Sequence, residues 1–451
     1  MFSQVVLAAS RDEGTVTTWD LDNGSVQTTY KQNACCRNGL RTVGRDYFVA
    51  SQMGRGVLHF WTWHKEQVHL RCFTKEPLLC VAATPCGSFI LGGSGKGSIF
   101  CWDATSGLLL REWVAHYKAV TCLAFSSDGH VLLSGGDDAA VNSWLLSDVL
   151  STENYGMVAA VLQPFCSWSE HTLPVTSICC GTGGINSVAV SAALDRSCKV
   201  YSLHLRTVLL SVALPVSLHA VALDPGQFAF FAGGSDGRVF EVPLADPLRA
   251  HPGGPEFATI EPHADAVTSV SVAPDGCHLV SGSEDGTVAV IEIRSRQIVR
   301  RLSAQGKGPV ASVLAIERPA WMPAGTRNVD GGKAARSKGP SRPQPLAPLQ
   351  KYATESASER WLGPTVLLTG SAELRLDADG TAMMPTPPMV STGGGDSARD
   401  PTGALQMCDS GDEVQRLRRQ LAETTEALEH MKQVHSSLHK YCVQEILGTD
   451  Q

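Results

Sequence analysis

Residues 116–144 read HYKAVTCLAFSSDGHVLLSGGDDAAVNSW, and this stretch decides the fold. It contains three short apolar runs, at 119–125, 131–134 and 141–145. The sequence Ser127–Asp128–Gly129 separates the first run from the second, and Gly135–Gly136–Asp137–Asp138 separates the second from the third. Short apolar runs bounded by Gly, Asp and Ser are typical of antiparallel strands joined by tight turns. The stretch is therefore predicted to form a small antiparallel sheet.

The same pattern recurs from the first residues of the chain to about residue 317. Aligned on Trp144, the equivalent positions are Trp19, Trp61, Trp102, Trp144, Tyr201, Val242 and Ile291. Their spacing is mostly about 41 or 42 residues, which is the period of WD repeats, each a four-stranded blade of a β-propeller. A longer step before Tyr201 indicates an insertion around 147–165. The predicted fold class is all-β, with a seven-bladed WD-repeat β-propeller over residues 1–317.

The two ends of the repeated region indicate how the ring closes. The first unit has runs for only three strands, at 5–9, 16–19 and 26–30, and nothing precedes them that could supply its innermost strand. After the seventh unit one apolar run, 310–316, is left over. We predict that this run completes the first blade, because pairing the two ends removes an exposed sheet edge.

Composition narrows the function further. The chain has 451 residues, a net charge of −7 and 43 glycines. We place many of these glycines in the turns between the second and third strands, as at Gly92–Gly93, Gly135–Gly136, Gly233–Gly234 and Gly282, and others in the region after the propeller. The negative charge argues against a general polyphosphate-binding surface, so any nucleic-acid contact must be a local patch. The 14 cysteines include no CxxC pair, which favours reduced cysteines without a metal or cofactor. No run is long enough for a membrane helix, and residues 1–10 fit a strand better than a signal peptide.

Three units carry His, Ser and Asp in the same phase, which are the residue types of a serine-hydrolase triad. A catalytic triad is built once, whereas this set recurs, so we interpret it as a buried hydrogen-bond network without a catalytic role. The expected members are His116, Ser134, Asp138 and Trp144; His171, Ser191, Asp195 and Tyr201; and His263, Ser281 and Asp285. Lys96 and Arg55 occupy the Asp position of the third and second units, where no network is expected.

Residues 168–223 carry a more specific resemblance. The segments WSEHTLPVT from Trp168, CGTGG from Cys180, LDRSCKVY from Leu194 and LLSV from Leu209 closely resemble the WD repeat-containing protein 18 family. The resemblance implies the propeller subunit of a nuclear complex that matures the large ribosomal subunit. It implies helical-repeat scaffold proteins, the AAA ATPase midasin and the pre-large-subunit particle as partners. It also implies removal of the second internal transcribed spacer, and a location in the nucleolus and nucleoplasm.

Behind the propeller the composition changes twice. Residues 318–412 are rich in Gly and Pro and poor in bulky apolar residues, which predicts a mostly disordered linker. Its first part, 318–351, has seven basic residues against one acid, which suits either a nuclear-import or RNA contact or a plain soluble spacer. Residues 413–447 contain no Gly or Pro and have a 3.5-residue apolar period, which predicts a coiled-coil helix that dimerises the protein or pairs with a partner helix. Its seam comprises Val414, Leu417, Leu421, Leu428, Met431 and Leu438, with polar Thr424, His435 and Glu445.

Other functions are less well supported by the residues. A substrate receptor of a cullin ubiquitin ligase, the main alternative, often has a W-D-x-R sequence, and the nearest match, Ile291–Arg294, lacks the Trp. A phosphoinositide-binding propeller needs an FRRG-like motif, and Arg300–Ser303 lacks the Phe and Gly. An enzyme would need a phosphate loop, a metal cluster or an isolated nucleophile, and none is found. The sequence therefore favours a non-catalytic scaffold.

Overall fold

The computed structural model describes residues 4–12, 14–151, 162–244, 257–303, 308–319, 322 and 346–352. Within these ranges 28 strands form seven antiparallel sheets of four strands each. The fold is a seven-bladed β-propeller, as predicted. Each blade has an innermost strand beside the central axis and an outermost strand at the rim.

Blades 1 to 4 contain the first half of the strands. Blade 1 consists, from the axis outward, of β28 (Val310–Glu317), β1 (Gln4–Ser10), β2 (Gly14–Asp20) and β3 (Val26–Asn33). Blade 2 consists, in the same order, of β4 (Cys35–Val43), β5 (Tyr47–Gln52), β6 (Val57–Thr62) and β7 (Leu70–Phe73). Blade 3 consists of β8 (Leu78–Ala83), β9 (Phe89–Ser94), β10 (Ser98–Asp103) and β11 (Leu109–Val114). Blade 4 consists of β12 (Val120–Phe125), β13 (Val131–Gly136), β14 (Val141–Leu145) and β15 (Cys166–Trp168).

The remaining three blades follow the same plan. Blade 5 consists of β16 (Val175–Cys180), β17 (Val188–Ala193), β18 (Ser197–Ser202) and β19 (Thr207–Ala213). Blade 6 consists of β20 (Leu218–Leu223), β21 (Ala229–Gly234), β22 (Val239–Pro243) and β23 (Ala258–Ile260). Blade 7 consists of β24 (Val267–Val272), β25 (His278–Ser283), β26 (Thr287–Glu292) and β27 (Gln297–Ser303).

Ring closure takes the predicted form. β28 pairs antiparallel with β1 in a register that runs from Gln4 opposite Glu317 to Ser10 opposite Val310. The innermost strands of successive blades pack against one another around the axis, including β28 against β4 on one side and β24 on the other. Closure therefore depends on pairing between β28 and β1, in which Ser10 pairs with Val310 300 residues further along the chain.

The burial pattern of each strand follows from its position in the blade. Second strands such as β13 and β5 are buried at every position, because a neighbouring blade covers each face. Outermost strands such as β19 and β27 alternate between exposed and less exposed residues, since only one face meets the next blade. Apolar residues fill the spaces between blades, for example Val190, Phe230 and Phe240 between blades 5 and 6.

The glycines predicted for turns lie elsewhere. Gly93, Gly135, Gly233 and Gly282 are inside second strands and not in the following turns. A Cβ at Gly135 would come within 2.8–2.9 Å of Cys122, Ile178 and Val175, the last two from the next blade. These glycines are needed because adjacent blades approach closely at the innermost strands.

Two further segments lie outside the sheets. The insertion before blade 5 starts with a short helix, α1 (Leu146–Leu150), and residues 152–161 are not described. Within the range assigned to a disordered linker, residues 346–352 lie against the propeller. The other residues after 322, which include most of the basic stretch and the predicted helix at 413–447, lie outside the described residues. Among the described helices none could span a membrane.

Candidate functional site

The structure brings the predicted polar residues of blade 4 together. The indole Nε1 of Trp144 on β14 donates to Ser134 Oγ on β13 at 2.9 Å. Ser134 Oγ lies 2.8 Å from His116 Nε2, and His116 Nδ1 lies 3.0 Å from Asp138 Oδ1. His116 comes from the loop before β12 and Asp138 from the turn after β13. The chain of bonds thus joins two strands and two loops of one blade.

Blade 5 has the same arrangement with a tyrosine at its end. His171 Nε2 lies 2.6 Å from Ser191 Oγ, which lies 3.1 Å from the hydroxyl oxygen of Tyr201. His171 Nδ1 lies 3.0 Å from Asp195 Oδ2 and 3.2 Å from Ser197 Oγ. A phenol therefore takes the place of the indole.

Blade 7 uses an additional hydroxyl. His263 Nε2 lies 2.8 Å from Ser281 Oγ, whereas His263 Nδ1 lies 3.4 Å from Asp285 Oδ2. Thr287 Oγ1 lies 2.8 Å from His263 Nδ1 and donates to Asp285 Oδ1 at 2.6 Å. Sequence reasoning missed Thr287 and its blade 5 counterpart Ser197. The signal was a hydroxyl residue two positions after the Asp, which blade 4 lacks.

Burial excludes solvent from the serines of these networks. Ser134, Ser191 and Ser281 are each 0% exposed. A nucleophilic serine must contact the carbonyl group of a substrate, and a fully buried serine cannot make that contact. Each network connects loops and strands of its own blade. Among the described residues no group of His, Cys, Asp and Glu is arranged to hold a metal ion.

A neutral imidazole with its proton on Nδ1 fits the hydrogen-bond pattern of these networks. If Nδ1–H donates to the carboxylate, Nε2 is free to accept from the serine hydroxyl, and the serine oxygen accepts from the indole or phenol. Burial lowers the pKa of His171 below its ordinary value near 6.5, and Asp195 offsets only part of this effect. The pKa of His263 is lowered for the same reason. For His171 and His263, the hydrogen-bond geometry and the lowered pKa therefore both favour the neutral imidazole.

The carboxylates at the other end stay ionised. Burial by itself raises the pKa of Asp138, but the hydrogen bond from His116 and main-chain N–H groups outweigh it and bring the pKa below its usual value. The pKa of Asp285 is also lowered, because hydrogen bonds from Thr287 outweigh burial. Each carboxylate is stabilised by donors in its own turn.

Blades 2 and 3 are built differently. Lys96, at the Asp position of blade 3, has its Nζ 2.9 Å from Glu76 Oε1. The indole Nε1 of Trp102 donates to the main-chain oxygen of Gln350 at 2.9 Å. In blade 2 the Trp61 indole is stacked on Phe48, with 5.2 Å between ring centroids.

A bulge in β4 crosses the propeller axis, which the sequence did not reveal. Cys35 pairs with Gln52 and Leu40 pairs with Ala50, so residues 36–39 form an excess loop within the strand. The side-chain Nδ2 of Asn38 donates to the carbonyl oxygens of Thr176 at 2.9 Å and Thr121 at 3.3 Å. These acceptors belong to the innermost strands of blades 5 and 4. The bulge therefore lies inside the central channel.

Other side chains of the bulge reach the remaining blades. Arg37 Nη1 lies 3.2 Å from His219 Nδ1 of blade 6, and Arg37 Nη2 lies 3.2 Å from Glu284 Oε1 of blade 7. Cys36 Sγ lies 3.6 Å from the carbonyl oxygen of Leu78 in blade 3. The bulge thus contacts five blades besides its own and plugs the channel at this level. The signal in the sequence is the length of the first strand of the second repeat, because β4 has nine residues whereas β8 and β12 have six each.

A groove of about 760 Å³ separates blades 1 and 2 on the outside of the ring. Its described lining includes Lys31, Arg55, His59 and Arg71 and no carboxylate. Phe73, which is 62% exposed, lies at its border. The groove is a local basic patch, and the overall composition of the chain did not indicate where such a patch would lie.

The predicted association seam of the C-terminal helix lies outside the described part of the chain. Val414, Leu417, Leu421, Leu428, Met431 and Leu438 lie outside the described residues. Their role stays a prediction.

Comparison with known proteins agrees with the repeat architecture. The family model described as WD domain, G-beta repeat matches residues 65–103, 107–144 and 254–292. Protein ROOT INITIATION DEFECTIVE 3 from Arabidopsis thaliana is 33% identical over 321 residues, which are 70% of this chain and 72% of that protein. Pre-rRNA-processing protein IPI3 from Yarrowia lipolytica is 29% identical over 301 residues, covering 63% and 69%.

One relative bears the family name that the segments between Trp168 and Val212 indicated. WD repeat-containing protein 18 from Mus musculus is 33% identical over 310 residues, which are 67% of this chain and 70% of that protein. With a closed seven-bladed ring and this similarity, the chain belongs to the WD repeat-containing protein 18 family.

Proposed function

We propose that the protein is a non-catalytic scaffold subunit of a nuclear complex that matures the large ribosomal subunit. The observation that carries the proposal is the similarity to relatives named for pre-rRNA processing, which extends over 63% of this chain. The plugged channel supports a scaffold role, because it leaves the outer surfaces of the ring for partners. Buried network serines support a role without catalysis.

The proposed task is removal of the second internal transcribed spacer and recruitment of midasin, in the nucleolus and nucleoplasm. Partners would be helical-repeat scaffold proteins and the pre-large-subunit particle. We assign residues 1–317 to the scaffold, 318–412 to a spacer that residues 346–352 attach to the scaffold, and 413–447 to association. These assignments rest on the family resemblance and on sequence composition.

Depletion and rescue test the proposal. Cells depleted of the protein should accumulate pre-rRNA that retains the second spacer, and the full-length chain should restore processing. A tagged full-length chain should recover pre-ribosomal proteins and midasin from nuclear extract. Normal pre-rRNA after depletion, or recovery of cullin adaptors without pre-ribosomal proteins, would overturn the proposal. The second result would favour a ubiquitin-ligase substrate receptor.

The basic groove offers a sharper test of contact with the particle. Phosphate groups of pre-rRNA suit a groove with several cationic side chains and no described carboxylate. Lys31→Glu with Arg71→Glu should reduce the recovery of pre-rRNA and make it less sensitive to salt. The matched control, Arg196→Glu with Lys199→Glu in blade 5, changes the charge equally and should leave recovery unchanged. Equal recovery with both pairs would exclude the groove as the contact.

A further inference from the structure

Residues 346–352, with the sequence LAPLQKY, lie against the border between blades 2 and 3. Leu349 is 6% exposed and packs among apolar residues of both blades, including Phe60 and Cys72 of blade 2 and Leu109 of blade 3. Leu346 joins the same cluster as a partly buried residue. The two leucines thus fill a pocket that the two blades create together.

Main-chain bonds hold the segment in place. The N–H of Gln350 donates to the carbonyl oxygen of Gly107 at 2.7 Å, and the N–H of Ala347 donates to that of Ala104 at 3.3 Å. Both acceptors lie in the turn between β10 and β11. The N–H of Leu349 points to Cys72 Sγ at 3.3 Å. Extended peptides gain affinity from such main-chain bonds and specificity from side-chain pockets.

Blade 3 lacks the serine that binds the tryptophan indole in blade 4. Gly92 stands where blade 4 has Ser134, as the strand registers show. The Trp102 indole therefore has no serine hydroxyl to bond and donates to Gln350 O instead. A Cβ at Gly92 would clash with Leu78 Cδ1 at 2.5 Å and would lie 3.3 Å from the Trp102 ring. The blade has exchanged its internal network for a bond to the segment.

The turn glycine of blade 3 also fits the segment. Gly107 has a φ of +73°, and a Cβ there would collide with the carbonyl oxygen of Pro348. Any other residue would push the segment away. Gly92, Gly107 and the Trp102 indole thus all contribute to the site that holds residues 346–352.

We propose that the border between blades 2 and 3 is a docking site for an extended Leu-x-x-Leu-Gln segment, and that residues 346–352 of the same chain occupy it. Docking moves the origin of the C-terminal region from the end of β28 in blade 1 to blade 3. Because the segment is tethered, its effective concentration at the site is high, so an external peptide of the same kind binds only when the segment leaves.

Hydrogen exchange on the full-length chain tests the docking. The amides of Ala347, Leu349 and Gln350, which donate to the propeller, should exchange at least tenfold more slowly than the intrinsic rate. Leu349→Asp should abolish this protection, while amides of β9 and β10 stay protected and show that the blade is intact. Lys351→Ala, a change at an exposed residue, should keep it. Exchange at the intrinsic rate in the unmodified chain would overturn the proposal, and so would protection that persists in Leu349→Asp with intact β9 and β10.

Peptide binding gives an independent readout that does not depend on the tail. A fluorescent peptide of residues 342–354 should bind the Leu349→Asp chain at least tenfold more tightly than the unmodified chain, whose site is occupied. The same peptide with aspartate in place of Leu349 should bind neither chain. Equal binding of the two peptides to the Leu349→Asp chain, or no binding of either, would overturn the recognition of leucine.

Discussion

The buried histidines show how environment decides what a residue can do. His116, His171 and His263 each face a carboxylate through Nδ1 and a serine through Nε2, as a catalytic histidine would. The repeat phase was enough to predict these positions. The roles of Thr287 and Ser197 did not follow from the repeat phase of His, Ser and Asp, because each hydroxyl joins its network through the distance between its own oxygen and the imidazole.

Removal of one carboxylate should loosen one blade. Asp138→Ala takes away the partner of His116 Nδ1 and the acceptor for the N–H of Tyr117. We expect a loss of about 2–4 kcal/mol in the free energy of unfolding, as for a broken buried network. Asp137→Ala, one position earlier, is the matched control and should cost far less. Urea unfolding measures both, and equal losses would contradict the network's importance.

The lowered histidine pKa values make stability depend on pH. Between the ordinary value near 6.5 and the lowered one, the unfolded chain binds protons that the folded chain does not, so stability falls as pH drops below about 6.5. His171→Gln with His263→Gln should reduce the slope of this loss by up to about 2.7 kcal/mol per pH unit. Urea unfolding at several pH values checks this. An unchanged slope in the double variant would refute the assignment.

At the scale of elements, β4 departs furthest from expectation. For the second repeat the sequence indicated only that Arg55 replaces the Asp, yet its first strand carries the bulge that plugs the channel. The partners of Asn38 are 83 and 138 residues away. A local pattern cannot reveal such contacts, because they exist only once the ring has closed.

Asn38 should be the most informative residue of the bulge. It has a φ of +58°, a left-handed conformation in which Asn is tolerated and Ala is strained. Asn38→Gly should lose only the two side-chain hydrogen bonds, at a cost of about 1–2 kcal/mol. Asn38→Ala should lose about 1 kcal/mol more through strain. Thermal or urea unfolding gives the order, and an alanine variant as stable as the glycine variant would contradict the left-handed geometry.

At the scale of the whole molecule, the ring could be predicted from the sequence and its attachments could not. Period, strand count and the leftover run at 310–316 together specify seven closed blades. Residues 346–352 look like linker, since a short segment with two leucines has no periodicity. Their position depends on a pocket that two blades form and on an indole without a serine partner.

Closure by β28 should be essential for the ring. Deleting 310–317 leaves β1 with an unpaired edge and removes apolar packing between blades 1 and 7. The shortened protein should therefore aggregate, or unfold at a lower temperature than the full chain. Deleting the eight linker residues 333–340 is a control of equal length and should preserve the melting transition. Static light scattering and calorimetry distinguish the two. A folded monomer without β28 would show that the ring closes in another way.

Association is the last property to be tested in the intact protein. The 3.5-residue period of 413–447 predicts a coiled coil, and a free helix of this length is only marginally stable, so it needs a partner. We expect light scattering to give the mass of a dimer for the full chain and of a monomer after deletion of 413–451. Leu421→Glu with Leu428→Glu should also give a monomer, because acids in the seam repel across the axis. Ala422→Glu with Gln433→Glu adds the same number of acids outside the seam and should leave the dimer intact. If deletion of 413–451 leaves the number of chains per particle unchanged, the helix does not dimerise the protein, and pairing with a partner helix becomes its proposed role.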